Sequence, residues 1–293
     1  MHDVPTRQLI ALSTALLALF AAPCSVADEA RAATIIEQVQ AAKLMQAALA
    51  ASAAKPEEWR KLDDTYAALA ARYPRDVTVI DARAEFWWEI GEQARAVAEW
   101  ERAEQIDPLN PRILEHLGES ALALGDPRKA AAFHARAVAS DPANAAGHFA
   151  LANVWFLFRH ELGAPAEADE ESLLTGALTH FAEAARLAPQ NLEYARGYAE
   201  TFYSIPRPDW PTALDAWRHV QLLIPEKDFA LGHLARIHLK MGHLDTSRQC
   251  LSQIQHPDYQ TLKSRLQPQI DAMQPNPADG PAAPPPRAPR REP

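Results

Sequence analysis

The sequence predicts an all-α solenoid of about six helix-turn-helix repeats closed by a C-terminal capping helix. Six prolines, Pro74, Pro108, Pro142, Pro189, Pro225 and Pro257, recur at spacings of 34, 34, 47, 36 and 32 residues. Eight residues before the first five stands a bulky group, Tyr66, Trp100, His134, Phe181 or Trp217. Five residues before three of them stands an alanine, Ala103, Ala137 or Ala184. A period near 34 on helix-forming residues marks stacked helix pairs, which complete a core only by packing on their neighbours. β-branched runs are nearly absent, so an extended sheet is not expected.

In chain order, residues 1–27 read as an export signal. Arg7 precedes an apolar run from Leu9 to Ala22, too short to span a bilayer comfortably, and Ser25-Val26-Ala27 offers small residues for cleavage before Asp28. An uncleaved anchor and a lipid anchor on Cys24 are the alternatives. Cleavage after Ala27 leaves Cys250 as the single cysteine, expected to be a buried, inert thiol. The expected location is periplasmic or extracellular, with membrane contact only through the transient signal.

Residues 28–273 form the repeat array, with units near 43–76, 77–110, 111–144, 145–191, 192–227 and 228–257. Proline ends the second helix of a unit because it lacks the amide donor and clashes with a preceding carbonyl. Gly125 and Gly242 fall where a first helix must stop. The fourth unit carries 13 extra residues, roughly Arg159 to Glu171. They predict a lengthened first helix, a short acidic loop and a second helix from near Ser172. Residues 259–273 predict the capping helix, with Pro268 limiting its length. The tail 274–293, with Pro284-Pro285-Pro286 and Arg287, Arg290 and Arg291, has too few apolar groups to fold.

These units resemble tetratricopeptide repeats. The third carries Leu114, Leu117, Gly118, Ala130, Ala137 and Pro142 at that family's positions 4, 7, 8, 20, 27 and 32, with His134 in place of the aromatic at 24. The second carries Ala84, Trp87, Ala96, Trp100, Ala103 and Pro108, with Arg83 departing from Leu at position 7. The fourth has Leu151, Ala152, Trp155, Ala177, Phe181 and Ala184; the fifth Tyr198, Ala199, Phe202, Ala213 and Trp217; the sixth Leu231, Leu234, Ala235, Leu251 and Ile254. The first is degenerate, with Leu49, Ala50, Leu62 and Tyr66. The resemblance implies a right-handed superhelix whose first helices line a concave groove with positions 2, 5, 9, 12 and 13. Position 12 gives Trp88, Leu122, Phe156, Tyr203 and Leu239; position 9 gives Glu85, Glu119, Asn153, Glu200 and Arg236. An apolar ladder beside carboxylates, turning basic at the C-terminal end, is the expected partner-binding groove. Asn153 matches an Asn with which some members grip a C-terminal carboxylate, but Phe149 stands where their Lys would be.

Charge and motifs narrow the function. The net charge is 29 − 38 = −9, and removing Arg7 and Asp3 with the signal leaves 28 − 37 = −9. An acidic chain lacks the basic face that nucleic acid or an anionic membrane needs, so neither is an expected partner. No phosphate-cradling glycine loop, CxxCH, HExxH or paired-cysteine pattern is present. His233, His238 and His243 are five residues apart, about 500° on a helix, and consecutive members share no face. His116, His134, His148, His180 and His219 fall at different repeat positions, which suits packing or surface roles. No catalytic residue, metal or cofactor is expected. The reading is an exported, non-catalytic adaptor for a protein or peptide segment. A structural assembly factor for an envelope or secretion complex and a glycan-binding accessory protein are the alternatives. N-terminal sequencing of exported protein should find Asp28 first; Leu9 or Cys24 retained on it would refute the cleavage site.

Overall fold

The computed structural model describes residues 26–163 and 169–273, and they contain helices, turns and no strand. The Pro/Arg tail, Cys24 and the export signal up to Ser25 lie outside them, as does the middle of the insertion. The chain divides into two compact units after Pro108.

The N-terminal unit holds α1 (Val26–Ala50), α2 (Pro56–Arg72), α3 (Val77–Glu89) and α4 (Gln93–Ile106). Here the first repeat departs from expectation. Its first helix is 25 residues long, and the core face runs through Ile35, Val39, Ala42 and Gln46. Leu49 and Ala50 belong to the last turn of that helix, half-buried and exposed respectively, and do not pack the pair as expected. Tyr66 is fully buried against Phe86, with ring centroids 5.2 Å apart, and donates to Gln46 Oε1 at 2.8 Å. Burial, with Glu85 and Glu89 nearby, pushes its phenol pKa upward. Arg83 takes a Leu position because Trp87 offers it a π-face. Its guanidinium stands 4.1 Å from the Trp87 ring centroid and that of Arg95 3.9 Å, while the indole N–H donates to Asp63 at 3.1 Å.

The C-terminal unit holds α5 (Pro111–Ala123), α6 (Pro127–Ser140), α7 (Ala145–Leu157), the short α8 (Arg159–Leu162), α9 (Glu170–Leu187), α10 (Leu192–Thr201), α11 (Trp210–Leu223), α12 (Lys227–Lys240), α13 (Leu244–Gln253), a 3-10 turn (Pro257–Tyr259) and α14 (Gln260–Ala272). Consecutive helices pack as antiparallel pairs, with α7 on α9 across the insertion. That insertion does not lengthen α7. The chain breaks at Phe158, and α8 follows as a separate turn whose Phe158 and Leu162 pack on Ala121, Ala130 and Val154. α9 starts at Glu170, two residues before the expected Ser172, because Asp169 caps it by accepting from the Ser172 amide at 2.6 Å.

The periodic residues act at helix ends as well as in the core. The amides of Asp107, Asp141 and Ala188 donate back to the carbonyls of Ala103, Ala137 and Ala184. Two residues past Pro74, Pro108, Pro142 and Pro189 stand Asp76, Asn110, Asn144 and Asn191, and each side chain caps the next first helix. Gly91, Gly125 and Gly242 adopt φ of 87°, 83° and 79° between the two helices of a pair. The residue after each glycine donates five residues back, to Trp87, Ala121 and His238, the longer bond of a Schellman closure.

Gly118 sits where α5 and α6 come closest. A Cβ there would stand 2.7–2.9 Å from the His134 ring, itself 1% exposed. Helix propensity alone makes Gly118→Ala stabilising by about 1 kcal/mol, whereas overpacking costs about 1–3 kcal/mol. Urea titration should show Gly118→Ala destabilising in the natural background and stabilising beside His134→Ala. Stabilisation in both backgrounds would mean that the ring yields freely.

Candidate partner-binding face

First helices carry the candidate residues because their opposite faces are spent on the pairs. In the N-terminal unit, Trp88 is half-buried, tilted against Trp100 at 5.7 Å and 49°. Glu85 accepts from Lys43 of α1, and Gln46 donates to Glu89 at 2.6 Å. The carboxylate wall in this unit is therefore partly neutralised by the preceding first helix, which charge counting along α3 alone did not reveal.

In the C-terminal unit, Leu122 is half-buried beside Ala121 and Val154, and Glu119 is exposed with His116 Nδ1 3.8 Å away. Asn153 and Phe156 lie a turn apart on α7, both half-buried. Phe156 meets Phe181 edge-on at 6.3 Å, and the Arg159 guanidinium stands 5.6 Å from its ring. Phe149, in the place of a carboxylate-gripping Lys, packs against Phe181 at 5.4 Å and Tyr194 at 4.7 Å. That position is apolar in shape as well as in sequence.

Tyr203 is the centre of the richest arrangement. It follows the end of α10, flanked by Trp210 and Trp217, and its hydroxyl contacts His233 Nδ1 at 3.1 Å. His233 lies flat on Trp217, with centroids 3.7 Å apart and planes 4° apart. The Arg236 guanidinium stands 4.5 Å from the Tyr203 ring, and that of Arg196 stands 5.0 Å from Phe229. Glu200 accepts from Arg196 at 3.0 Å. Burial raises the Tyr203 pKa. Burial, then Arg236 and Arg196, hold the His233 imidazole down at about 4, so it is neutral at physiological pH. A neutral ring that accepts from Tyr203 at Nδ1 carries its proton on Nε2. Arg196 and Phe229 stand at positions 5 and 2 of their repeats. Reading those two positions alongside 9 and 12 would have found them.

Leu239 does not join the ladder. It is 5% exposed because α14 covers it, and Leu262 on α14 lies where a Cβ on Gly232 would stand, at 2.4 Å. The last helix thus takes the place of a further first helix. Arg236, Leu239, Leu262 and Arg265 line the cleft of about 210 Å³ that remains between α12 and α14.

Elsewhere in this unit, α7 and α9 bring together two histidines that the sequence places 32 residues apart. His148 Nδ1 and His180 Nδ1 are 2.8 Å apart, and His148 Nε2 is 3.2 Å from the Pro142 carbonyl oxygen. The Trp155 ring meets His180 edge-on at 5.1 Å.

No family model and no curated protein matches the sequence. Solved structures do. YrrB, a TPR protein with an unusual peptide-binding site, matches 69% of this chain and 96% of its own at a TM-score of 0.55 and 16% identity. PilF of Pseudomonas aeruginosa matches 79% of this chain and 99% of its own at a TM-score of 0.53 and 15% identity. At such identities the likeness is one of fold, and the chain has the tetratricopeptide-repeat fold.

The buried histidine gives a pH prediction. An unfolded His takes its proton near 6.5, but folded His233 takes it only near 4. Its contribution is therefore complete above pH 6.5 and is lost as pH falls toward 4, on the order of 2–3 kcal/mol. Burial likewise lowers the pKa of His134, His180 and His238, so their contributions have the same sign. Urea titrations between pH 7 and 4 should show falling stability, with a shallower fall in His233→Phe, which keeps the stack on Trp217 without the proton site. An equal fall in both chains would remove His233 as its source.

Proposed function

We propose that this chain is an exported, non-catalytic scaffold that binds a protein or peptide segment along the first-helix face of its repeats. The observation that carries the reading is the cluster around Tyr203. Tyr203, Trp210 and Phe229 there remain only partly buried, with the exposed Arg236 laid on the Tyr203 ring, although the helix pairs beneath are already closed by Ala199, Ala213 and Trp217. A core needs no such surface, whereas aromatic and arginine anchors are typical of binding sites. Phe156 and Leu122 add half-buried apolar surface, and Glu119 and Glu200 add carboxylates.

A segment with apolar side chains and at least one Lys or Arg suits this face. Burying the apolar groups would supply most of the affinity, at roughly 25 cal/mol per Å² before association costs. The charges would set register and on-rate. The fold supports the reading, and YrrB is a solved protein of the same fold with a peptide-binding site. Export rests on the sequence of residues 1–27 alone.

The test uses residues 28–293 immobilised against extracts and then against whichever partner is retained. Phe156→Ala should weaken binding roughly tenfold or more, whereas Phe133→Ala, on second helix α6, should not. An assembly factor held by many weak contacts would lose little with either variant. Tryptophan fluorescence shifted by sugars, with no protein retained, would instead favour the glycan-binding alternative.

A further inference from the structure

The chain carries a net charge of −9, yet the cleft of about 210 Å³ between α12 and α14 is lined by three cations, Arg236, Lys240 and Arg265, and by no carboxylate. Arg236 and Lys240 lie one turn apart on α12, Arg265 lines the cleft from α14, and all three side chains are exposed. Other arginines in this unit have carboxylate partners: Arg196 has Glu200, Arg218 has Asp215, and Arg248 has Asp245 and Asp271. Among the described residues, no carboxylate stands within ion-pairing distance of the three cleft cations. A cleft lined by one sign of charge focuses its field and draws in the opposite charge. Two further features suit it to more than a bare anion. The Arg236 guanidinium stands over the Tyr203 ring at 4.5 Å, a contact that orients it without using its N–H donors. Between the cations the floor is apolar, from Leu239, Leu262 and Leu266, and Leu262 is only partly buried. A nucleic acid would find no long basic surface to follow on so acidic a chain.

We propose that this cleft takes an internal Asp or Glu side chain of an acidic peptide segment, with an adjacent apolar residue of that segment seated on the leucine floor. The inference rests on the reading of the first-helix face as a binding surface and adds a charge order to it. The segment directs its Lys or Arg toward Glu119 and Glu200 and its acid toward the α12–α14 end. Its carboxylate accepts from the Arg236 and Arg265 guanidiniums, whose N–H groups match a carboxylate's two oxygens, and Lys240 adds a third positive charge. Arg236 belongs both to the Tyr203 cluster and to the cleft lining, so the aromatic surface continues directly into the basic end.

The test is selection of a random library of short peptides, displayed on phage with no free peptide carboxyl terminus, against the immobilised chain. Selected peptides, remade with blocked ends and a fluorescent label, are then titrated by anisotropy. They should share an Asp or Glu beside Leu, Ile or Phe. Replacing that acid by its amide, or combining Lys240→Glu with Arg265→Glu in the chain, should each weaken binding at least tenfold, whereas Arg218→Glu should not. A peptide with Lys in place of the acid should bind the double variant better than the natural chain. The substituted side chains are exposed, so the variants should keep the fold, which circular dichroism checks. Phe156→Ala separates this inference from the reading beneath it. Peptides weakened by Phe156→Ala but indifferent to the double variant would overturn the cleft and leave the binding face standing; the opposite pattern would support the cleft and count against that face. A library that yields no binding peptide, or inorganic phosphate that displaces the label as well as unlabelled peptide does at equal concentration, would also overturn the proposal.

Discussion

The structure depends on how closely the two helices of a pair can approach. Ala84 and Ala96, Ala152 and Ala177, and Ala199 and Ala213 are all fully buried where pairs close. In α5 the closing residue is Gly118, and in the last pair Ser247 replaces Ala and discharges its hydroxyl by donating to the Ala235 carbonyl at 2.7 Å. With backbones this near, the large side chains are driven to the seams between pairs, where Tyr66, Phe181 and Trp217 are at most 2% exposed. Dispersion over those rings adds to the packing between pairs. The polar handles of the tryptophans also find partners: Trp217 donates to the Ala199 carbonyl at 3.1 Å and Trp100 to Asp81 at 3.0 Å. Close approach inside a pair and ring filling between pairs are one constraint seen from two sides.

That constraint explains which parts of the molecule could be read from sequence. Small residues, rings and prolines at fixed intervals report on contacts every repeat must make, so the helix pairs from Val77 onward were legible. The first repeat was less so: its long helix presents Gln46 and Lys43, whose partners Tyr66, Glu85 and Glu89 lie 20 to 43 residues away. The register of such polar contacts leaves no periodic trace. The cap residues two places after four of the prolines do leave a sequence trace, an Asp or Asn at a fixed place before each first helix.

The candidate site was legible to a similar depth. Position rules pick out Phe156 and Tyr203, and both side chains are only partly buried. They failed at Leu239, because a rule for interior repeats ignores what the final helix covers. They also missed His148 and His180, whose meeting depends on an insertion that resets the count between α7 and α9. Contacts made by consecutive repeats in common are written in the period, while contacts made once are written only in three dimensions.

α14 has one further consequence. A stack of identical modules resembles a growing polymer: each exposed end is a template for another module, including one from a second molecule. α14 presents its apolar residues, Leu266 and Ile270, inward, where they are 6% and 0% exposed. Toward solvent it shows Arg265, Gln269 and Asp271, with Pro268 among them interrupting the amide ladder. Docking on such a surface would oblige an incoming helix pair to desolvate charges. The C-terminal helix thus closes the apolar interior of the last pair and turns a largely polar face outward.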